Sequence, residues 1–102
     1  MYCYLIWQVN NPFEWAKYHQ ALQNVLQGNY NWVRPLNDLY IVQINNSDSY
    51  DSLFTSVTAL ARSFPGKVNF FLSQVLEGGG YNGFIQKEKW EGVHNLTGVN
   101  PP

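Results

Sequence analysis

The sequence has little charge. Lys, Arg, Asp and Glu together make up 13% of the 102 residues, and the formal net charge is −1. Soluble domains average about 25% charged residues. A nucleic-acid-binding surface needs clustered Lys and Arg side chains to neutralise phosphates, and this composition argues against such a surface. A poorly charged, aromatic-rich surface is typical of a protein that another chain covers, which predicts a homodimer or a protein partner.

Cysteine and long apolar segments are also scarce. Cys3 is the single cysteine, which excludes an internal disulfide framework and fits a reducing compartment. No apolar run reaches the roughly 20 residues that span a membrane, and no basic segment precedes the first apolar run, as it would in a signal peptide. These absences predict a cytoplasmic protein without a membrane partner.

Apolar and aromatic residues are abundant instead, at 45% and 17% of the chain. This content excludes a disordered chain, and 102 residues suffice for one domain with a two-layer core. The run Met1–Val9 contains no charged residue. It predicts a buried central strand around which the rest of the chain is organised.

Two helices are predicted from capping signals and apolar spacing. Segment 11–14 (Asn-Pro-Phe-Glu) is typical of a helix start with Asn11 as N-cap, and this helix should run to about Gln27. The second helix should begin in the polar cluster 45–49 and end at Pro65-Gly66. Its apolar positions recur every three or four residues: Tyr50, Leu53, Phe54, Val57, Leu60, Ala61 and Phe64.

Three more strands are predicted, over residues 30–36, 39–44 and 68–76. Asn37-Asp38 suits a tight hairpin between the first two, and Pro35 assigns residues 30–36 to an edge of the sheet because proline has no N–H to donate. The order strand, helix, strand, strand, helix, strand predicts an α+β, ferredoxin-like βαββαβ fold. Its four-stranded antiparallel sheet would carry both helices on one face.

The last quarter of the sequence has a different character. We divide the chain into a ferredoxin-like core at 1–76 and a tail at 77–102, in which a Gly-rich loop leads to a short amphipathic segment at 84–96. The tail is expected to pack on the core or on a second subunit. Tyr81 in the loop and Trp90 beyond it are candidate binding residues, Trp90 as an anchor in a groove.

Two helices cover only one face of a sheet, so the other face needs an occupant. Alternation along the first strand directs Tyr2, Tyr4, Ile6 and Gln8 to that face, together with Leu39, Ile41 and Gln43 from the third strand. Such a face is too apolar to remain exposed. A dimer interface or the chain's own tail is the favoured cover. A stacking platform for RNA bases is the alternative, but strand 39–44 has no Lys or Arg to support it.

No catalytic residue, metal ligand set or cofactor is predicted. His19 and His94 lie far apart without a carboxylate at ligand spacing. Cys3 suits a small core residue better than a nucleophile. Asp48 and Asp51 suit the first turn of a helix. The glycine-rich loop lacks the Lys and Ser or Thr of a phosphate loop.

Three segments resemble the small CRISPR adaptation endonucleases and the related SinR-like proteins: 4–10 (Tyr-Leu-Ile-Trp-Gln-Val-Asn), 32–36 (Trp-Val-Arg-Pro-Leu) and 83–90 (Gly-Phe-Ile-Gln-Lys-Glu-Lys-Trp). The resemblance implies a ferredoxin-like dimer. In the nuclease family the first strand ends in an aspartate that is implied to hold a metal between two protomers. Gln8 stands at that position here, and a neutral amide does not replace a carboxylate for a hard divalent cation.

Residues 11–19 (Asn-Pro-Phe-Glu-Trp-Ala-Lys-Tyr-His) resemble the first helix of dimeric α+β barrel proteins. Some members of that group are small monooxygenases, haem degraders or isomerases. The resemblance implies chemistry carried by a side chain that lines a cavity between helices and sheet. His19 and Trp15 are the candidates for that role.

The leading hypothesis is a small cytoplasmic homodimer that acts as a non-catalytic binding or interaction module. It would be a relative of the adaptation nucleases that lacks their metal site and is encoded by a mobile element or virus. Two alternatives stay open. One is a metal-dependent endoribonuclease, and the other is a barrel-type protein that binds a nucleotide or another small molecule.

Overall fold

A computed structural model describes residues 2–74 and 87–97. Its elements in chain order are β1 (Tyr2–Val9), a 3₁₀ turn (Pro12–Glu14), α1 (Trp15–Leu26), β2 (Trp32–Leu36), β3 (Leu39–Gln43), α2 (Ser47–Arg62), β4 (Val68–Gln74) and α3 (Lys87–Thr97). The antiparallel strands are ordered β2-β3-β1-β4. The predicted α+β, ferredoxin-like arrangement is therefore confirmed, with β1 inside the sheet and β2 at an edge.

The start of α1 follows the predicted cap with one difference. Asn11 Oδ1 accepts a hydrogen bond from the Phe13 amide at 3.0 Å, and the Asn11 side-chain amide donates to Glu14 Oε1 at 3.3 Å. The Glu14 amide donates to the Asn11 carbonyl at 2.9 Å, an i to i+3 bond. This bond makes the first turn a 3₁₀ turn, as is common at helix ends, so the α-helix begins only at Trp15.

The second helix begins as expected and buries a narrower stripe than its pattern indicates. Asn46 Oδ1 accepts from the Ser49 amide at 2.9 Å and caps the helix. Of the predicted stripe only Leu53 and Val57 are buried, while Phe54 remains 48% exposed. Phe54 lies 6.1 Å from the ring of Phe70 on β4. β4 is an edge strand, and no other strand of the described residues lies beyond it to cover Phe54.

Strand β2 is shorter and less regular than expected. It begins at Trp32, and its pairing with β3 shifts register between Val33 and Leu36. Pro35 lies in this interval, and proline cannot donate to the ladder. The irregularity follows from that missing donor.

The helix-facing side of β1 forms the centre of the core. Cys3, Leu5 and Trp7 are 0% exposed. The Trp7 indole donates to the Tyr18 carbonyl at 3.2 Å, which satisfies the buried N–H and ties β1 to α1. The predicted inward set of β1 therefore does face the helices, with Val9 packed at its margin.

Helix α3 packs on the opposite face of the sheet. Val93 is 1% exposed and forms a second apolar cluster with Ile41, to which Tyr2, Tyr4, Val33 and Leu96 contribute. The Tyr2 hydroxyl donates to the Leu96 carbonyl at 3.0 Å. The chain's own C-terminal helix thus covers part of the face that the two longer helices leave open. The Gly-rich loop lies outside the described residues.

None of the helices in the described ranges combines the length and apolar character needed to cross a membrane.

Candidate functional site

Four apolar side chains form a line across all four strands on the α3 side of the sheet. In the register of the sheet, Leu39 pairs with Leu36 and with Ile6, and Ile6 pairs with Phe71. The exposed fractions are 51% for Leu36, 43% for Ile6 and 63% for Phe71, and Leu39 is half-buried. We call these four residues the apolar row. They are the apolar part of this face that the described residues leave at least partly exposed.

The strand residues around the apolar row carry no charge. Within residues 2–74, the other strand side chains that alternation and pairing place on this face are Tyr2, Tyr4, Gln8, Val33, Ile41, Gln43, Asn69 and Ser73. The Asn69 side-chain amide donates to Gln8 Oε1 at 3.4 Å and to Asn10 Oδ1 at 3.1 Å. The row therefore borders neutral amides, whose hydrogen bonds to each other lower their demand for water.

The predicted binding residues fall into three groups. Ile6 lies in the apolar row, and Gln8 is exposed beside it. Tyr2, Tyr4 and Ile41 lie beneath α3. The predictions for Tyr81 and for the side chain of Trp90 lie outside the described residues.

Sequence reasoning missed Leu36 and Phe71. Alternation along β4 separates Phe71 from the core-facing Phe70, so applying the β1 rule to β4 would have found Phe71. Leu36 follows Pro35, where the register shift breaks simple alternation. Its position therefore needed the tertiary structure.

A second cluster joins α1 to the β2–β3 hairpin around His19. The ring is 1% exposed, with Nε2 3.1 Å from Asp38 Oδ1 and Nδ1 2.7 Å from the Tyr40 hydroxyl oxygen. A carboxylate only accepts hydrogen bonds, so Nε2 carries the proton in the neutral ring. Nδ1 then accepts the proton of Tyr40, and the Gln23 amide donates to the Tyr40 oxygen at 3.3 Å.

Aromatic and cationic side chains close this cluster toward solvent. The Trp15 ring stacks on His19 with centroids 4.1 Å apart, and its indole N–H donates to Asp38 Oδ1 at 2.9 Å. The Arg34 guanidinium lies 4.8 Å from the centre of the Trp15 ring. Arg34 and Asp38 thus bring charges of opposite sign close to the His19–Tyr40 pair.

The electrostatics of the cluster favour neutral side chains at its centre. Burial lowers the pKa of His19 below its ordinary value of 6.5, and the Asp38 carboxylate opposes that shift only in part. Burial also raises the pKa of Tyr40. Hydrogen bonds from Gln23 and Arg34 favour the phenolate and lower this pKa, but they offset the effect of burial only in part. Both groups are therefore neutral at pH 7 and bound to each other.

This arrangement is closed to chemistry on an outside substrate. Both ring nitrogens of His19 already have partners, and Tyr40 is 0% exposed. Cys3 is equally inaccessible, and burial raises the pKa of its thiol to about 12. In the part of the chain that the structure describes, no group of three or more His, Cys, Asp or Glu side chains is placed to hold a metal ion.

Comparison of the chain with protein-family models, with curated proteins and with solved structures finds no match. The site must therefore be interpreted from its own geometry.

Proposed function

We propose that this protein is a non-catalytic interaction module that self-associates through the apolar row. The observation that carries this proposal is an exposed line of four apolar residues among described strand side chains that carry no charge. The largest apolar patch of a soluble protein, typically a few hundred Å², is often a functional surface. The cytoplasm is the compartment we propose, supported by the lone, buried Cys3.

A second copy of the chain is the occupant that fits this surface. The strand side chains that the structure describes on this face carry no charge, so they offer no electrostatic complementarity to an acidic or basic partner and no cation for a phosphate backbone. Two uncharged faces can meet without burying an unpaired charge, whose cost is high. In a two-fold contact each row would lie on the same row of the other copy.

The size of the row sets the expected strength of association. Strands lie about 4.8 Å apart, so the row is roughly 14 Å long between the outer backbones. Its exposed side-chain surface is on the order of 300 Å² per copy, since a large aromatic side chain buries about 150–250 Å² in all. Stable interfaces bury about 800 Å² per partner. The association is therefore transient, with a dissociation constant between about 1 μM and 1 mM.

The test compares two phenylalanines of different position. Phe71→Glu places a charge in the row, and Phe13→Glu makes the same change at a side chain that is 97% exposed on the 3₁₀ turn. Sedimentation velocity from about 10 μM to about 500 μM should show concentration-dependent association of the wild-type chain. Phe71→Glu should weaken it at least about tenfold, or about 1.4 kcal/mol, and Phe13→Glu should leave it unchanged.

Two results would overturn the proposal. One is a wild-type protein that stays monomeric throughout the concentration range. The other is an equal loss of association in both variants, which would place the interface elsewhere. Because both phenylalanines are exposed, circular dichroism should show both variants folded.

A further inference from the structure

A polar cavity lies at the end of the sheet opposite the apolar row. Its volume is about 270 Å³. The residues that line it are Gly28, Asn29, Tyr30, Asn31, Gln43, Ile44, Asn45 and Ser49. We propose that this cavity binds a neutral saccharide, and we name it the amide cavity. This inference is independent of self-association through the apolar row.

Two side chains of the cavity offer a donor beside an acceptor. The Asn31 side-chain amide donates to Gln43 Oε1 at 3.1 Å, and the Gln43 backbone amide donates to the Asn31 carbonyl at 2.8 Å. The side-chain bond leaves Asn31 Oδ1 and Gln43 Nε2 without a hydrogen-bond partner among the described residues. Neighbouring hydroxyl groups of a sugar can donate to one and accept from the other. If the oxygen and nitrogen of both side-chain amides exchange places, one donor and one acceptor still remain available to a ligand.

Further neutral polar groups surround this pair. The Asn29 side-chain N–H donates to the Val25 carbonyl at 3.2 Å. The side-chain oxygen of Asn29 therefore remains available as an acceptor. Asn45 is exposed, and its side chain makes no hydrogen bond to other parts of the described chain. The cavity therefore presents several groups that both donate and accept, and a polyhydroxylated ligand needs both.

The lining of the amide cavity is poorly suited to anions. Among the residues that the structure describes, no Lys or Arg lines the amide cavity, so these residues offer no cation to a phosphate or carboxylate. Most lining side chains are polar, which disfavours an apolar ligand because its entry would desolvate groups that it cannot bind. Tyr30 is half-buried and supplies one aromatic ring. Sugar rings combine hydroxyl edges with apolar C–H faces, which match amides and an aromatic ring respectively.

Two adjoining depressions extend the site beyond a single ring. One, of about 720 Å³, is lined on α2 by Asp48, Ser49, Ser52 and Ser56 and shares Asn29 and Tyr30 with the amide cavity. The other, of about 700 Å³, shares Tyr30, Asn31 and Gln43 and reaches Asn95 on α3. Tyr30 is common to all three, so a chain of two or three sugar units could continue from it in either direction.

The test is a titration of ¹⁵N-labelled protein followed by NMR. The test ligands are glucose, N-acetylglucosamine and their neutral oligosaccharides. Glucuronate serves as a charged comparison ligand, and adenosine serves as a nucleoside comparison ligand. We expect the side-chain amide signals of Asn29, Asn31 and Gln43 to shift and saturate with at least one neutral saccharide. An oligosaccharide should bind more tightly than its monomer.

Matched leucine substitutions locate the site. Gln43→Leu should weaken binding by about tenfold, because it removes a donor and an acceptor of the cavity. Gln20→Leu makes the same change at an exposed glutamine on α1 and should leave the affinity within about twofold of wild type. If Gln43→Leu does not fold, Asn45→Leu replaces it, since Asn45 is exposed and makes no side-chain bond that the fold requires.

Three results would overturn the proposal. The first is the absence of saturable shifts with every neutral saccharide. The second is an equal loss of affinity in Gln43→Leu and Gln20→Leu. The third is binding of adenosine or glucuronate in preference to the neutral sugars, which would assign the cavity to a different class of ligand.

Discussion

His19 determines how α1 meets the β2–β3 hairpin. Its ring is bonded on one side to Asp38 in the turn and on the other to Tyr40 in β3. A buried polar ring needs both partners, because an unsatisfied nitrogen would keep its full desolvation cost. The barrel resemblance pointed to His19 and Trp15 as catalytic candidates, but the geometry gives them a structural role. They exclude water from a network that joins two elements.

The lowered pKa of His19 predicts acid sensitivity. Burial makes the folded state bind a proton less readily than the unfolded state, whose histidine has a pKa near 6.5. The stability that results is complete above this value and is lost as the pH falls below it toward the folded-state pKa. Urea unfolding between about pH 7.5 and pH 5 should therefore show a decreasing free energy of unfolding in the wild-type protein.

Two variants separate this effect from other titrations. His19→Gln should lower the free energy of unfolding at pH 7 by about 2 kcal/mol through lost hydrogen bonds, and its stability should depend less on pH. Asp38→Asn removes the charge that opposes the shift, so the stability of that variant should decrease more steeply on acidification. An unchanged pH dependence in His19→Gln would contradict this account.

At the scale of elements, α3 covers part of the outer sheet face. From the sequence, either the chain's own tail or a second copy could have covered this face. Val93 contacts the outer face near Ile41, and the Tyr2 hydroxyl bonds to Leu96. Gly92 lies where α3 packs near Val33. A Cβ added at Gly92 would lie 3.6 Å from Val33 Cγ1, which is ordinary van der Waals contact.

This geometry predicts opposite effects at two glycines. Gly92→Ala should raise the free energy of unfolding by about 0.5–1 kcal/mol, because alanine favours a helix and fits the space. Gly28→Ala has open space too, but Gly28 has a φ of +83°, so the substitution should destabilise by about 1 kcal/mol. Thermal and urea unfolding of both variants provides the measurement. Destabilisation by Gly92→Ala would show that α3 packs more tightly than 3.6 Å indicates.

At the scale of the whole molecule, the α3 side of the sheet has a covered part and an exposed part. Helix α3 protects the end that carries Tyr2 and Ile41, and the apolar row remains open at the other end. The open part lies among neutral side chains. Any association there must therefore arise mainly from apolar burial, with little contribution from ion pairs.

This predicts how self-association responds to salt. Raising NaCl from about 50 mM to about 500 mM screens charges over a few ångströms, and it should leave the sedimentation-derived dissociation constant unchanged. Sodium sulfate should strengthen association, since it favours burial of apolar surface. Weaker association at high NaCl would indicate an interface built on charge and would contradict the role of the row.

Much of the architecture could be predicted because it depends on local patterns. Alternation along β1 predicted which side chains face the helices, and Pro35 predicted an edge strand. Asn11 and Asn46 are caps for reasons visible within a few residues. The candidate sites were less accessible. Phe71 was within reach of the alternation rule, whereas Leu36 depends on a register shift and the partners of His19 come from a distant hairpin.

The sequence by itself determined the order of elements, the central position of β1 and the shortage of charge on its outer face, because periodicity, caps and composition act over short distances. Only the tertiary structure decided that α3 covers Tyr2 and Ile41, that His19 is enclosed by Asp38 and Tyr40, and that amides from two connections and from the end of β3 surround one cavity. Those features are contacts between segments far apart in the chain. Their formation depends on strand register and helix packing, which no single segment encodes.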